Sequence, residues 1–115
     1  MHPTPGLTET EARDLRALVG LMIPASTTYD VPGADDTLIF ADILRSLERD
    51  TEDARAALKE LAGLSGGAFA DLAPDRRCEV SAIFKEQGGA PLFALNRVGL
   101  LCYYRDDRVM RSLGQ

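Results

Sequence analysis

The chain has 115 residues, of which 45% are hydrophobic and only 6% aromatic, and its formal net charge at pH 7 is -5. This length accommodates one domain with a modest core, and the hydrophobic content excludes a compositionally disordered chain. Because negative charge is repelled by phosphate backbones and anionic lipid surfaces, the composition argues against nucleic acid as a partner.

The N-terminal residues 1–6 form a Pro-rich lead-in that we expect to be flexible. They have neither the basic n-region nor the apolar h-region of a signal peptide. No apolar run approaches the ~20 residues needed to cross a bilayer, so direct membrane insertion is not expected. The chain as written is expected in the cytoplasm, or in the periplasm if it is co-exported or has lost a leader.

The first predicted helix begins after this lead-in. Thr8 and Glu11 have the spacing of a capping box, in which each side chain bonds a free amide at the helix start. An apolar stripe with helical spacing follows at Leu15, Leu18, Val19 and Met22. Pro24 disfavours the α conformation at Ile23 and predicts that the helix ends there. Residues 24–36 contain two prolines and a glycine and predict a loop.

Two further helices are predicted in the middle of the chain. Asp36 or Thr37 can cap the second helix, whose apolar stripe comprises Ile39, Ile43, Leu44 and Leu47. The third begins at Asp50 or Thr51 and has an apolar face of Ala54, Ala57, Leu58 and Leu61. Gly63 follows as its predicted C-cap.

The second irregular connection is predicted over residues 64–73, with Phe69 and Leu72 as apolar anchors. Pro74 suits the first position of a fourth helix, because its missing amide hydrogen is not needed there. The predicted core residues of this helix are Val80, Ile83 and Phe84, and the pair Gly88-Gly89 ends it.

The fifth predicted helix opens at Pro91, and its apolar residues cover more than one face: Leu92, Phe93, Leu95, Val98, Leu101 and Cys102. A helix that is apolar on most sides is usually the most buried one. No strand-like alternation of any length interrupts this order. The sequence therefore predicts an all-α single domain over residues 1–115, with about five helices and two longer irregular connections.

Few residues suit catalysis or metal binding. The only histidine, His2, lies in the lead-in, and Ser65 lacks both a usable base and the context of a nucleophile elbow. Cys78 and Cys102 have no metal-ligand spacing, and their apolar helical context favours two reduced, buried thiols over a bridge between helices. We therefore predict no catalytic, cofactor-binding or metal-binding residue in this chain.

The densest chemical feature is the segment that contains Tyr103, Tyr104, Arg105 and Arg108. Adjacent residues of a helix point ~100° apart, so both tyrosines cannot enter one core. Tyrosine and arginine are common anchors of protein interfaces. The segment is either a docking surface, or a helix end at which Tyr103 packs inside and Tyr104 covers the terminus.

Several short motifs follow one another between Leu7 and Gly114. They are Leu7-Thr8-x-x-Glu11, Leu15-Arg16-Ala17-Leu18, Leu21-Met22-Ile23-Pro24-Ala25, Pro32-Gly33-Ala34, Phe69-x-x-Leu72-x-Pro74, Tyr103-Tyr104-x-Asp106-x-Arg108-Val109 and Leu113-Gly114. In their order and spacing the chain resembles the gluconate 2-dehydrogenase subunit 3 family, the small subunits of flavin-dependent sugar and sugar-acid dehydrogenases.

The resemblance implies a non-catalytic small subunit that stabilises or chaperones a large flavoprotein of the glucose-methanol-choline type, as in a heterodimer. FAD and the catalytic residues would then belong to the large subunit. We place the expected partner interface on Pro24, Phe93, Tyr103, Tyr104, Arg105 and Arg108. The chain departs from the family in being shorter and in lacking a twin-arginine signal, which bears on its export.

Two other functions compete with this interpretation. A self-contained helical ligand-binding or regulatory domain, in one form a homodimer, predicts an enclosed apolar pocket or a self-complementary two-fold surface. An independent hydrolase using Ser65 or a cysteine requires a base that the sequence does not supply.

Overall fold

The computed structural model describes residues 7–26 and 31–112, apart from the side chains of Glu48, Arg49, Ala90, Pro91 and Phe93. Within these ranges six α-helices follow one another: α1 (Glu9–Met22), α2 (Thr37–Ser46), α3 (Thr51–Ser65), α4 (Pro74–Gln87), α5 (Ala90–Tyr104) and α6 (Asp107–Ser112). Two short 3-10 helices, Leu47–Asp50 and Phe69–Asp71, precede α3 and α4. The all-α prediction is confirmed, with one more helix than expected.

Part of the sequence prediction falls outside the described residues. This part comprises the lead-in over residues 1–6, residues 27–30 of the first predicted loop, and the Leu113-Gly114 motif. In the described part of that loop, Ser26 and Val31 form an isolated antiparallel bridge. None of the helices in the described ranges is long and apolar enough to span a bilayer.

Local hydrogen bonds set the helix starts where the sequence predicted them. The hydroxyl of Thr8 accepts from the Glu11 amide at 3.1 Å, and the Glu11 carboxylate accepts from the Thr8 amide at 2.8 Å. The Asp36 carboxylate caps α2 by accepting from the amides of Leu38 and Ile39 at 3.0 and 3.3 Å. Both caps satisfy amides that a helix start otherwise leaves unpaired.

The core forms where α5 packs against α2 and α3, and where α3 packs against α1 and α4. The predicted inward face of α3 is buried at every position: Ala54, Ala57, Leu58 and Leu61. The first two predicted stripes are buried at Leu15, Leu18, Val19, Ile39, Ile43 and Leu47. Their remaining members lie at the edge of the core, namely Met22 and Leu44.

Three predictions about α3 and α4 are wrong. α3 continues to Ser65, and Gly66 rather than Gly63 is its C-cap, with a φ of 72° that favours glycine. Ile83 is exposed, and so is Cys78, although both cysteines are free. Because α4 turns Val80 and Phe84 toward the core, the ~100° step per residue places Ile83 on its flank and Cys78 on its far side.

The sixth helix was not expected from the sequence. It begins after Asp106, whose carboxylate accepts from the Arg108 amide at 2.9 Å, and it is anchored by the buried side chain of Val109. The Arg108 guanidinium also reaches Asp36, the cap of α2, with the closest atoms 2.8 Å apart. This contact joins residues 72 positions apart, so local sequence reasoning could not find it.

Candidate partner-binding surface

The solvent side of α5 carries adjacent apolar side chains. Leu100, Leu101 and Tyr104 are 42%, 54% and 49% exposed. Together with Arg97 and Arg105 they line an open groove of about 710 Å³. We call these five residues the α5 outer face. Contiguous exposed apolar surface of this kind marks interaction sites more often than scattered single residues do.

α5 has this face because it is apolar on two sides. The side that packs against α2 and α3 buries Leu92, Leu95, Val98 and Cys102. The opposite side carries Leu100 and Leu101, which are exposed, so the apolar surface of α5 is covered on one side only. Periodicity showed that both sides are apolar, but it could not show that only one of them is covered by a neighbouring helix.

The two adjacent tyrosines separate as the helix geometry predicted. Tyr103 packs against the core, and this burial raises the pKa of its hydroxyl. Tyr104 points to solvent at the end of the α5 outer face. The two rings meet edge to face, with centroids 5.4 Å apart and planes at 75°. This favourable ring geometry orients the exposed Tyr104.

Arg105 connects α5 to α2 at one edge of the face. Its Nε and Nη2 donate to the two carboxylate oxygens of Asp42, each at 2.6 Å, and Nη2 also donates to the Ser46 hydroxyl at 2.8 Å. The guanidinium holds the pKa of Asp42 below its usual range. Two-point pairing of this kind restricts the orientation of the arginine.

Arg97 forms the matching edge toward the start of α5. Its Nη2 donates to both carboxylate oxygens of Asp50, at 3.1 and 3.0 Å. The side chains of Arg97 and Arg105 are 55% and 50% exposed, whereas those of their partners Asp50 and Asp42 are only 17% and 21% exposed. The α5 outer face therefore presents guanidinium groups to solvent, with the carboxylates beneath them.

The six residues predicted for the interface do not form one surface. Tyr103, Tyr104 and Arg105 lie together at the end of α5, while the Arg108 guanidinium is used within the chain by Asp36 and Asp106. The interface role of these residues stays a prediction.

Pro24 and Phe93 complete the set of six. Pro24 is exposed after α1, where the preceding Ile23 lies beside Gly99 on the packed side of α5, so Pro24 does not line the groove. Phe93 lies in α5, and its side chain is outside the described part of the structure. Sequence reasoning did not assign Arg97, Leu100 and Leu101 to the interface. Their only signal was the second apolar side of α5.

Three aspartates that accept hydrogen bonds from arginines make the free energy of unfolding depend on pH in the acidic range. The hydrogen bonds from Arg108 to Asp36 and Asp106, and from Arg105 to Asp42, hold the pKa of each carboxyl below its usual range. A carboxylate with a lowered folded-state pKa contributes stability above its unfolded pKa and loses it as pH falls through the folded pKa. We expect the free energy of unfolding to decline below about pH 4.

Denaturant titrations at a series of pH values between neutrality and strong acid measure this decline. Replacing Asp36 and Asp42 with asparagine in one double variant should make the profile shallower, because these groups then no longer titrate. A double variant that loses stability with acid as steeply as the native chain would contradict the assignment.

A second cleft of about 470 Å³ lies between the start of α1 and α3, and it is open to solvent. Its lining combines Ala56, Leu58 and Ala62 with polar groups at the rim, among them Thr10 and Lys59. An ion pair between Arg55 and Glu11, with Nε and Oε2 3.3 Å apart, joins the two helices beside it. The cleft is less enclosed than the pocket that the ligand-binding alternative predicts.

Groups that could hold a metal ion do not come together in the described part of the chain. No three His, Cys, Asp or Glu side chains within residues 7–26 and 31–112 are grouped as a metal site would require. The hydroxyl of Ser65 donates to the Leu61 carbonyl of its own helix at 2.7 Å. A serine bonded in this way is oriented by its helix rather than by a general base.

Comparison with known proteins gives no match for this chain. No family model matches the sequence, and neither a curated protein nor a solved structure is found to be similar. The features that bear on function are therefore those of the chain itself, above all the α5 outer face.

Proposed function

We propose that this chain is a non-catalytic small subunit that binds and stabilises a large FAD-dependent oxidoreductase acting on sugars or related alcohols. The observation that supports partner binding is the exposure of Leu100, Leu101 and Tyr104 side by side on α5. Covering apolar surface contributes ~25 cal/mol per Å², so a partner that buries this face is favoured. The order of the short sequence motifs supports the choice of a flavoprotein.

In this proposal FAD and the reacting groups belong to the large subunit. This chain contributes a docking surface whose edges are held in place before binding. The ion pairs of Arg97 with Asp50 and of Arg105 with Asp42 fix both edges to neighbouring parts of the fold. Groups that are ordered beforehand lose less conformational entropy on association.

Co-purification from the native host tests the proposal. The tagged native chain is expected to elute with a yellow, roughly stoichiometric flavoprotein that oxidises a sugar or a related alcohol. Leu101→Asp is expected to lose this partner, because it places a charge in the apolar groove. Ile83→Asp is the matched control, since Ile83 is similarly exposed but lies on α4. A native chain that elutes alone, folded and colourless would refute the proposal.

Substitutions at the end of α5 refine this test. Tyr104→Ala is expected to weaken complex formation more than it weakens folding, because the ring is half-exposed and packs edge to face only at the helix end. Arg105→Ala is expected to weaken both, because Arg105 also joins α5 to α2 through Asp42. Complex formation that is unchanged in both variants would remove this segment from the interface.

A self-contained ligand-binding domain is the second candidate, favoured by the cleft between α1 and α3. Its volume of about 470 Å³ falls within the range of small-molecule sites, ~300–1,000 Å³. A ligand in this cleft would contact Leu58 and Lys59. Native mass spectrometry of the chain purified from its host distinguishes the two candidates, because it detects either a bound small molecule or a protein partner.

A further inference from the structure

We infer that the α5 outer face binds an amphipathic helix of the partner in which apolar side chains are flanked by carboxylates. This inference rests on the partner binding proposed above and specifies the chemistry of the bound segment. It follows from three observations on the face: the spacing of its arginines, their unused hydrogen-bond donors, and the sign of its exposed charge.

The spacing of the face suits a helix that lies along α5. Arg97 and Arg105 are eight residues apart, which corresponds to ~12 Å at ~1.5 Å per residue. Leu100, Leu101 and Tyr104 lie between them. An amphipathic helix presents apolar residues at i, i+3, i+4 and i+7, so two carboxylates seven or eight residues apart on its flanks would reach both guanidinium groups.

Both arginines keep donors for such carboxylates. A guanidinium carries five N–H groups, and the bond to Asp50 uses only Nη2 of Arg97. The bonds to Asp42 and Ser46 use Nε and Nη2 of Arg105. Among the described residues, no hydrogen bond engages Nε or Nη1 of Arg97, or Nη1 of Arg105. These groups are available to carboxylate acceptors from a partner.

The exposed charge selects an acidic partner. In a chain of formal net charge -5, the α5 outer face shows solvent two half-exposed arginines over much less exposed aspartates. Complementary charge across an interface steers association and fixes its register. An anionic lipid surface would meet the same two arginines, and binding to phosphatidylserine vesicles distinguishes it from a helix with carboxylates.

A second copy of this chain fits the face poorly. Antiparallel two-fold pairing of α5 helices about Leu100 and Leu101 would bring Arg97 of one copy toward Arg105 of the other. Parallel two-fold pairing would bring Arg97 toward its own equivalent. Both arrangements place like charges together, and this repulsion weakens association. A helix with carboxylates would instead form attractive pairs with the same arginines.

Peptide binding tests the inference on the full chain. The probe is a fluorescein-labelled helical peptide with leucine at i, i+3, i+4 and i+7 and glutamate on the flanks. The matched control peptide carries lysine in place of glutamate. We expect the glutamate peptide to bind about tenfold more tightly than the lysine peptide by fluorescence anisotropy, because it can form two solvent-exposed ion pairs. Its binding should weaken as the salt concentration is raised.

Variants locate the bound peptide. Leu101→Asp is expected to abolish binding of the glutamate peptide, whereas Ile83→Asp on α4 is expected to leave it unchanged. In amide NMR spectra of the native chain, the peptide should shift the signals of residues 97–105. Equal binding of both peptides, no binding of the glutamate peptide, or binding unaffected by Leu101→Asp would each overturn the inference.

Two further measurements address the other occupants. Sedimentation that shows a dimer lost in Leu101→Asp, or binding to phosphatidylserine vesicles lost in the same variant, would overturn the inference in favour of a second copy or a membrane. Failure of this inference and failure of the proposed function give different experimental results. A flavoprotein that co-purifies equally with Leu101→Asp keeps the function and removes this surface, whereas peptide binding without any flavoprotein keeps the surface and removes the function.

Discussion

Replacing Phe69 with alanine lowers the free energy of unfolding by about 3–5 kcal/mol, the largest effect expected of any single substitution considered for this protein. Phe69 is fully buried and lies in the short 3-10 helix that precedes α4. α1 packs against this 3-10 helix. Truncation leaves a cavity that the surrounding helices cannot fill without moving, and it also removes the transfer free energy of the ring.

The segment around Phe69 is held by polar contacts that limit such movement. The buried carboxylate of Asp14 accepts from the Ala70 amide at 2.9 Å, and Arg13 pairs with Asp71 at 2.7 Å between Nη2 and Oδ1. Both contacts tie the 3-10 helix to α1. A segment fixed in this way relaxes little, which places the expected loss toward the upper end of the range.

Denaturant unfolding followed by circular dichroism measures this loss. The slope of the unfolding free energy against denaturant concentration should be the same in the variant and the native chain. Ile83→Ala serves as the control, because the exposed Ile83 should change stability by no more than about 0.5 kcal/mol. A Phe69→Ala variant as stable as the native chain would show that this ring is not a core anchor.

The second large effect is expected at Gly33, where alanine lowers the free energy of unfolding by about 1–3 kcal/mol. A Cβ atom on Gly33 would lie 2.7 Å from the amide nitrogen of Ala25 and 2.8 Å from the carbonyl oxygen of Ile23. These are backbone atoms and cannot rotate away. The neighbouring amide of Ala34 donates to the same Ile23 carbonyl at 2.9 Å, so relief of the clash strains this hydrogen bond.

Gly63→Ala is the matched control for this substitution. Gly63 is an exposed position inside α3, and a Cβ atom there would meet nothing within 4 Å. Alanine is a better helix former than glycine, so this variant should be more stable than the native chain by about 0.5–1 kcal/mol. Thermal and denaturant unfolding of both variants should therefore show shifts of opposite sign. A Gly33→Ala variant at least as stable as the native chain would contradict the close approach.

Gly33 and Gly63 show which structural features the local sequence can predict. Gly33 lies in the loop predicted over residues 24–36, but the reason for glycine there is the chain that follows α1, which only the fold brings within 3 Å. Gly63 looked like a helix cap, yet α3 runs past it because Gly66 can adopt the left-handed conformation just as well.

The candidate partner-binding surface was predictable only in part. The separation of Tyr103 and Tyr104 follows from the rotation per residue of a helix, and the structure confirms it. The roles of Arg105 and Arg108 could not be inferred, because their partners Asp42 and Asp36 lie 63 and 72 positions away. Ion pairs between distant segments leave no periodic signal in the sequence.

By itself the sequence determined the all-α class, the cap at Thr8, the choice between Asp36 and Thr37 as the second cap, and the inward faces of α1, α2 and α3. These features depend on hydrogen bonds and periodicities within a few residues. Only the tertiary structure decided which apolar side of α5 is covered and that Ile83 faces solvent. Burial depends on which neighbouring element packs against a helix face. That packing joins elements that are distant along the chain, so local sequence patterns do not contain it.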